Sequence, residues 1–326
     1  MNNTKNEINL FIGFTPYHSF ICKKIIEETK DTILCIFTKG WPQTTKKYHK
    51  IGYFPQNKLL RILFYPLSLL LFSIYIKLIL RKKCINVYIP HPKNPFTNFI
   101  IYTKLNSINI YEDGIMNYYD VNSADHPIDN LKIKIMKLCK LKYKDYQGHL
   151  TGLEFLKINK YYLSRPDLAV LKNKAQKKIC LPVLQNKKSL VKKRILFLDQ
   201  RTDNFISKQI RNEKLKIMFS IYSPSEYEYL YKSHHDYSEN ILINKISKNL
   251  EAKPAEEVVE LLSPEIVISF FSSALINIKM SNPNIKCYWL AANIIEISRN
   301  TKKTNLSSIF TEANVINIEK SEHGTH

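Results

Sequence analysis

Apolar and polar positions along this chain fall into blocks that read as strand, helix, strand. Ile8-Asn9-Leu10-Phe11-Ile12 is a buried strand by pattern, turning at Gly13-Phe14-Thr15-Pro16 into a helix over residues 17–29, where apolar residues recur at helical spacing. Thr32–Phe37 is a second apolar run, ended by Lys39-Gly40. An uncharged block at 62–76 predicts a helix, and Cys84–Ile89, closed by Pro90, a third strand. A helix over 95–104 has Asn94 as its N-cap and Pro95 in its first turn. Ile108-Asn109-Ile110 is the next strand and runs straight into Tyr111-Glu112-Asp113-Gly114. From 131 to 188 the pattern turns basic and irregular and reads as connecting sequence. Alternation resumes at 194–198, with further strands expected at 216–220, 227–232 and 241–243. A helix is expected at Ala255–Leu262 behind Pro254, then a strand at 265–270. That strand leads through Phe271-Ser272-Ser273-Ala274 into a helix, and 285–290 is the last strong strand.

Strands that alternate with helices imply mostly parallel sheets, so the class is α/β. The two runs of alternation divide the chain into domains at 1–165 and 193–326, joined by a basic linker at 166–192 and facing a cleft. No Gly-x-Gly-x-x-Gly follows either opening strand, and the whole chain has only seven glycines. A dinucleotide fingerprint and a P-loop are both missing, which removes most support for hydride transfer and for phosphoryl transfer from ATP.

Charge adds a partner class. The 49 Lys+Arg against 28 Asp+Glu give +21, which suits a polyanionic ligand or an anionic surface. There is no zinc finger, RNA-recognition signature or Arg-rich arm, so nucleic acid is not the expected partner. Six cysteines without a C-x-x-C pair read as reduced thiols of a cytoplasmic protein. The 62–76 block is flanked by Arg61 and by Lys77, Arg81, Lys82 and Lys83. It is shorter than the roughly 20 residues of a spanning helix, which leaves a buried core helix or an interfacial one with a basic fringe on anionic lipid.

Four polar groups carry the candidate chemistry. Glu112 and Asp113 sit at the exit of a buried strand, where open α/β sheets collect ligands and a carboxylate can take a proton from a hydroxyl; Asp-Gly is also an ordinary turn dipeptide. Lys232-Ser233-His234-His235 follows a strand, and a histidine there can donate to a phosphate oxygen that gains charge. Glu256, opening a helix behind Pro254, fits either a helix-start carboxylate or an acceptor for ribose hydroxyls. Ser272-Ser273 before a helix is either an N-cap or a phosphate cradle.

Taken in order, these motifs resemble the bacterial sialyltransferases of glycosyltransferase families 52, 38 and 80, most of all family 52. The second motif of those families is His-Pro, and His235 stands at the proline position here. Gly13-Phe14-Thr15-Pro16-Tyr17-His18 also resembles the Thr-Pro turn of the family 52 and polysialyltransferase groups. The resemblance implies a GT-B fold of two Rossmann-like domains, with a CMP-sugar held mainly by the second. It implies inverting transfer of sialic acid from CMP-sialic acid to a terminal galactoside of a bacterial surface glycan, lipooligosaccharide or capsule, with no metal or cofactor. Mapped onto this chain, the base is Glu112, with Asp113 as the alternative because adjacent strand residues point to opposite faces. His234, or His235, protonates the leaving phosphate, and Glu256 holds the ribose. Ser272 and Ser273 bind phosphate, and Lys232, Gly13 and Thr15 complete the donor-binding set. Transfer of pseudaminic or legionaminic acid, polysialylation, and an idle glycan-binding module are the competing readings. A lipid-linked acceptor, peripheral contact of 59–83 with the inner face of the cytoplasmic membrane, and a homodimer are the expected partners.

Overall fold

The first half of the chain builds a single sheet whose strand order decides where the acidic pair lies. The computed structural model describes residues 7–321 apart from 53, 56–57, 81–83, 104, 106, 142, 155–157, 171–176, 182–188 and 235–243. Unit 1 is Met1–Pro182 and unit 2 is Val183–His326, a division within the segment read as a linker.

Unit 1 contains, in chain order, β1 (Glu7–Gly13), α1 (Pro16–Glu28), β2 (Thr32–Phe37), β3 (His49–Lys50), α2 (Lys58–Leu80), β4 (Cys84–Ile89), α3 (Pro95–Ile101), β5 (Ser107–Tyr111), α4 (Asn130–Leu138), β6 (Ile158–Leu163) and β7 (Lys177–Cys180). The seven strands pair in the order β3-β2-β1-β4-β5-β6-β7, every neighbour parallel. Strand order reverses between β1 and β4, so the ligand crevice of such a sheet lies beyond Gly13 and Ile89. The apolar core under α1 joins Phe11, Ile21, Ile25, Cys35, Phe37 and Tyr111. Asn94 caps α3 through its side chain, as its position before Pro95 requires.

Unit 2 contains β8 (Val191–Leu198), α5 (Lys208–Ile221), β9 (Glu228–Lys232), β10 (Asn244–Lys245), α6 (Lys248–Glu251), α7 (Ala255–Leu262), β11 (Pro264–Ser269), α8 (Ala274–Ser281), β12 (Lys286–Trp289), a hairpin of β13 (Glu296–Arg299) and β14 (Lys302–Asn305), α9 (Ser307–Glu312) and β15 (Ile316–Asn317). Its main sheet runs β10-β9-β8-β11-β12-β15, again parallel throughout, with the reversal at β8/β11. The expected class, α/β with two Rossmann-like domains of the GT-B kind, is the one observed.

Two expectations fail. The 131–188 stretch is not merely connecting sequence, because α4, β6 and β7 lie in it and both strands belong to the first sheet. Polar residues near their starts masked them: β6 reads Ile-Asn-Lys-Tyr-Tyr-Leu, and the edge strand β7 reads Lys-Lys-Ile-Cys. Residues 216–220 are helix, not strand, within α5, whose N-cap Ser207 accepts from the Ile210 N–H at 3.2 Å. Five mainly apolar residues do not distinguish the two periods. The strand expected at 241–243 lies outside the described residues, as does His235.

Candidate functional site

Glu112 and Asp113 leave β5 in opposite directions and meet different surroundings. The Glu112 N–H continues the β5–β6 ladder by donating to Tyr162 O at 2.9 Å, and Tyr111 Oη donates to Ile12 O at 2.6 Å. Gly114 then takes φ 77°, a left-handed conformation that a side chain disfavours, and turns the chain into a short 3-10 helix, Gly114–Tyr118. That turn folds back on the acidic pair. Asn117 Oδ1 accepts from the Asp113 N–H at 2.8 Å, and Tyr118 Oη donates to Glu112 Oε2 at 2.7 Å.

The Thr-Pro turn after β1 supplies the rest. Thr15 is the N-cap of α1, accepting from the His18 N–H at 3.2 Å. The first turn of α1 sets adjacent side chains on the adjacent carboxylates: Tyr17 Oη donates to Glu112 Oε1 at 2.6 Å, and His18 Nε2 lies 2.6 Å from Asp113 Oδ1. Because the Phe14 N–H donates to His18 Nδ1 at 3.0 Å, a neutral His18 carries its proton on Nε2 and gives that hydrogen bond to Asp113. Gly13 serves packing, since a Cβ there would meet the Phe37 ring at 2.1 Å.

The two carboxylates therefore differ in what they present. Glu112 is 0 % exposed, and its oxygens accept from Tyr17, Tyr118 and the Ser164 N–H, the last at 2.6 Å. Burial holds its carboxyl above the usual range, with those donors pulling the other way. Asp113 has a side chain 14 % exposed. Burial works against its charge, yet the His18 imidazole and then His91 bring it below the usual range. Its Oδ2 faces His91 Nε2 at 4.0 Å. His91, just past β4, is tilted against Phe14 at 5.5 Å and accepts from the Lys93 N–H at Nδ1. Burial lowers the His91 pKa. Behind it, the buried Lys93 ammonium donates to the carbonyls of Ser123 and His126.

In unit 2 the predicted residues gather at the carboxyl ends of strands flanking β8, with different degrees of exposure. Lys232, at the end of β9, is buried and donates from Nζ to Glu251 O at 2.9 Å; burial lowers its pKa. His234, two residues on, is half-buried. Glu256 is buried in the first turn of α7 and accepts from Asn277 Nδ2 of α8 at 3.0 Å. Ser272 and Ser273 are half-buried at the start of α8, where Ser272 Oγ accepts from the Ala274 N–H at 3.3 Å. Ser273 occupies the cap position but makes no side-chain cap bond.

Sequence reasoning assigned no role to Tyr17, His18 or His91, although each lies beside a strand exit and the rule that found Glu112 applies to His91 as well. It missed a second buried carboxylate altogether. Asp199, directly after β8, accepts from Arg211 Nη2 at 2.8 Å and from Tyr231 Oη at 2.6 Å. Its neighbour Gln200 accepts at Oε1 from the Phe271 N–H at 2.8 Å, tying the exits of β8 and β11 together. Arg211 also stacks its guanidinium 4.5 Å over the Phe270 ring.

Two Rossmann-like units, each with polar side chains gathered at the carboxyl ends of its strands, have the build of the GT-B class. The chain belongs to the alpha-2,8-polysialyltransferase (POLYST) family, whose profile matches residues 54–291, nearly three quarters of its length. It is thus a glycosyltransferase of the sialyltransferase type. The narrower resemblance to family 52 gains nothing from this match, which falls on the polysialyltransferase group. No curated protein matches the chain in sequence. Among solved structures it is similar to Methanocaldococcus jannaschii UDP-GlcNAc 2-epimerase in complex with UDP-GlcNAc and UDP, at 11 % identity and TM-score 0.49 over 96 % of this chain and 90 % of that one. It is also similar to the wall teichoic acid polymerase TagF, at 10 % identity and TM-score 0.44 over 90 % of this chain and 72 % of that one. Likenesses this distant bear on neither substrate nor chemistry.

Proposed function

We propose that the protein transfers sialic acid from CMP-sialic acid, with inversion, onto a glycan that itself ends in sialic acid, and that Asp113 is the base. The observation that carries this reading is the division of labour in the acidic pair. Glu112 is saturated and buried, whereas the Asp113 side chain is 14 % exposed and its Oδ2 meets His91 Nε2 only at 4.0 Å. The acceptor hydroxyl gives its proton to Asp113 Oδ2 while its oxygen bonds to the anomeric carbon, and the bond to the CMP phosphate breaks on the opposite face. A donor of this kind ionises through an oxocarbenium-like transition state, so the base is needed late and the leaving phosphate needs a proton or hydrogen bond. His234 supplies that, with the Ser272 and Ser273 hydroxyls holding the phosphate and Glu256 the ribose side.

Family membership supports sialyl transfer, and an acidic acceptor suits a chain with a charge of +21. The phosphate charge is carried by histidine, hydroxyls and helix-start amides, so the reaction needs neither metal nor cofactor. The protein then works in the cytoplasm, where CMP-sugars are made. The test is a panel of CMP-sialic, CMP-pseudaminic and CMP-legionaminic acids against short acceptors ending in galactose or in sialic acid, with products resolved by NMR. The expected product is an α-linked disialyl unit. Retained configuration would refute the single displacement. Tight glycan binding without CMP release from any donor would instead make the chain a binding module.

A further inference from the structure

The face of unit 1 formed by α2 and α4 is built unlike the rest of its surface. Helix α2 buries one stripe, with Leu69, Phe72 and Ile76 inward, and Phe72 packs on Phe96 and Phe99 of α3 at 5.3 and 6.2 Å. The opposite face is apolar too. Leu63, Leu67, Leu71, Ile74, Tyr75 and Leu78 are exposed, Leu63 to 71 %. An amphipathic surface helix would place polar residues there, but between Arg61 and Lys77 the chain has no charged residue at all. The largest apolar patch on an ordinary monomer is about 300–600 Å², and eleven large apolar side chains of α2 are each more than a third exposed.

Helix α4 lies against this face, where Cys139 Sγ donates to Pro66 O at 3.7 Å. It adds exposed Leu131 and Leu138 and exposed Lys132, Lys134 and Lys137. Neither helix contains an aspartate or glutamate. The charge within the two helices is therefore of one sign, with one exposed carboxylate, Asp129, at the N-cap of α4.

We propose that this face seats the protein on an anionic lipid bilayer, with α2 lying in the plane of the interface and the α4 lysines on the headgroups. A second copy of the chain is a poor occupant, because a two-fold contact would set lysine against lysine. Helix α2 is long and apolar enough to cross a membrane by length and composition, but a spanning orientation is opposed by its inner stripe, which is fixed on α3. Lipid meets both halves of the pattern, taking apolar side chains into the acyl boundary and lysines onto anionic headgroups. This seat does not depend on which sugar is transferred.

The experiment is flotation of the full chain with vesicles of phosphatidylcholine alone or mixed equally with phosphatidylglycerol. Wild type is expected to float with the mixed vesicles at low salt and hardly at all with the neutral ones. Replacing Lys132, Lys134 and Lys137 by Gln should weaken the partition by about 100-fold, and replacing Leu63, Leu67 and Leu71 by Ser should weaken it at least as much. Both sets are exposed, so melting temperature should stay at the wild-type value. Tyr75→Trp reads the same contact in a protein with no other surface change, and its extra emission should shift to the blue on mixed vesicles. Wild type that floats with neither vesicle, an unshifted Tyr75→Trp emission, or a leucine variant that floats normally but falls from dimer to monomer in light scattering would overturn the proposal.

Discussion

Glu112→Gln and Asp113→Asn should fail in opposite ways. Asp113→Asn keeps the shape of the side chain, and an amide oxygen can still accept from His18 Nε2, so folding is barely touched. What it loses is the base, which lowers turnover by about 10²–10⁴-fold, or about 3–5 kcal/mol of barrier. Glu112→Gln leaves the presented carboxylate in place but disturbs its support. Three bonds to a charged acceptor, from Tyr17, Tyr118 and the Ser164 N–H, become bonds to a neutral one. Each falls from about 1.5–3 to about 0.5–1.5 kcal/mol. The Gln amide also directs two N–H groups at partners that donate to Glu112, though Tyr17 can turn its hydroxyl to accept. Relief from burying a charge offsets part of this loss, leaving about 1–3 kcal/mol, at about 2–4 °C per kcal/mol for a unit of this size. Calorimetry and CMP release on the full chain read both quantities. Asp113→Asn should melt with wild type and turn over hardly at all, and Glu112→Gln should melt lower and retain most of its turnover. An Asp113→Asn enzyme near wild-type rate, beside a dead Glu112→Gln enzyme with an unchanged melt, would refute the assignment.

Four further outcomes test the same geometry. His18→Phe removes the group that holds Asp113 ionised against burial, so the acid limb of kcat/KM should move to higher pH. Gly114→Ala puts a side chain at φ 77° and should cost about 1–2 kcal/mol in urea unfolding, with turnover falling further as Asp113 is displaced. Burial lowers the pKa of both His91 and His149, and His149 donates from Nε2 to Tyr119 O at 2.8 Å. Such groups are neutral in both states above about pH 6.5. As pH falls below that value the unfolded chain takes up protons that the fold resists, so stability should decline by up to about 1.4 kcal/mol per pH unit per histidine; replacing both by Gln should flatten the melting profile between pH 6.5 and 5, and an unchanged slope would show that neither is responsible. Transfer should persist in EDTA, and loss on chelation with rescue by a divalent ion would sink the metal-free mechanism.

Much of the fold was legible because the strands toward the centre of each sheet are largely apolar, as burial on both faces demands. β1, β2, β4 and β11 stand out for that reason. The edge strands do not, since Lys177-Lys178-Ile179-Cys180 needs to bury little and carries the charge that protects an edge. The acidic turn was legible as a strand exit, but the choice between its carboxylates was not. That choice depends on α1, whose first turn reaches Glu112 and Asp113 across 95 residues of sequence. Spacing along the chain carries no signal of such a contact. The pairing order of the sheet creates it, by bringing β1 beside β4 and β4 beside β5. The family profile begins at residue 54 and so leaves out the Thr-Pro turn that makes the contact.

Both units solve one problem at a strand exit in the same way. A strand exit that must present a polar group to ligand has to be held still, and loops are poor at that unless something buried fixes them. In unit 1 the fixed point is Glu112, clamped by two phenols and an amide, and the residue beside it, Asp113, is the one left partly exposed. In unit 2 the fixed point is Asp199, clamped by the Tyr231 phenol and the Arg211 guanidinium, and the residue beside it, Gln200, reaches across to the Phe271 amide ahead of Ser272 and Ser273. In each unit a buried carboxylate with both oxygens hydrogen-bonded stands beside a chain neighbour that is less buried. If Asp113 is the base as proposed, the hydrogen-bond donors around a strand-exit acid decide between adjacent carboxylates, and Arg211, on a helix with no predicted role, bears on how firmly the serines are placed.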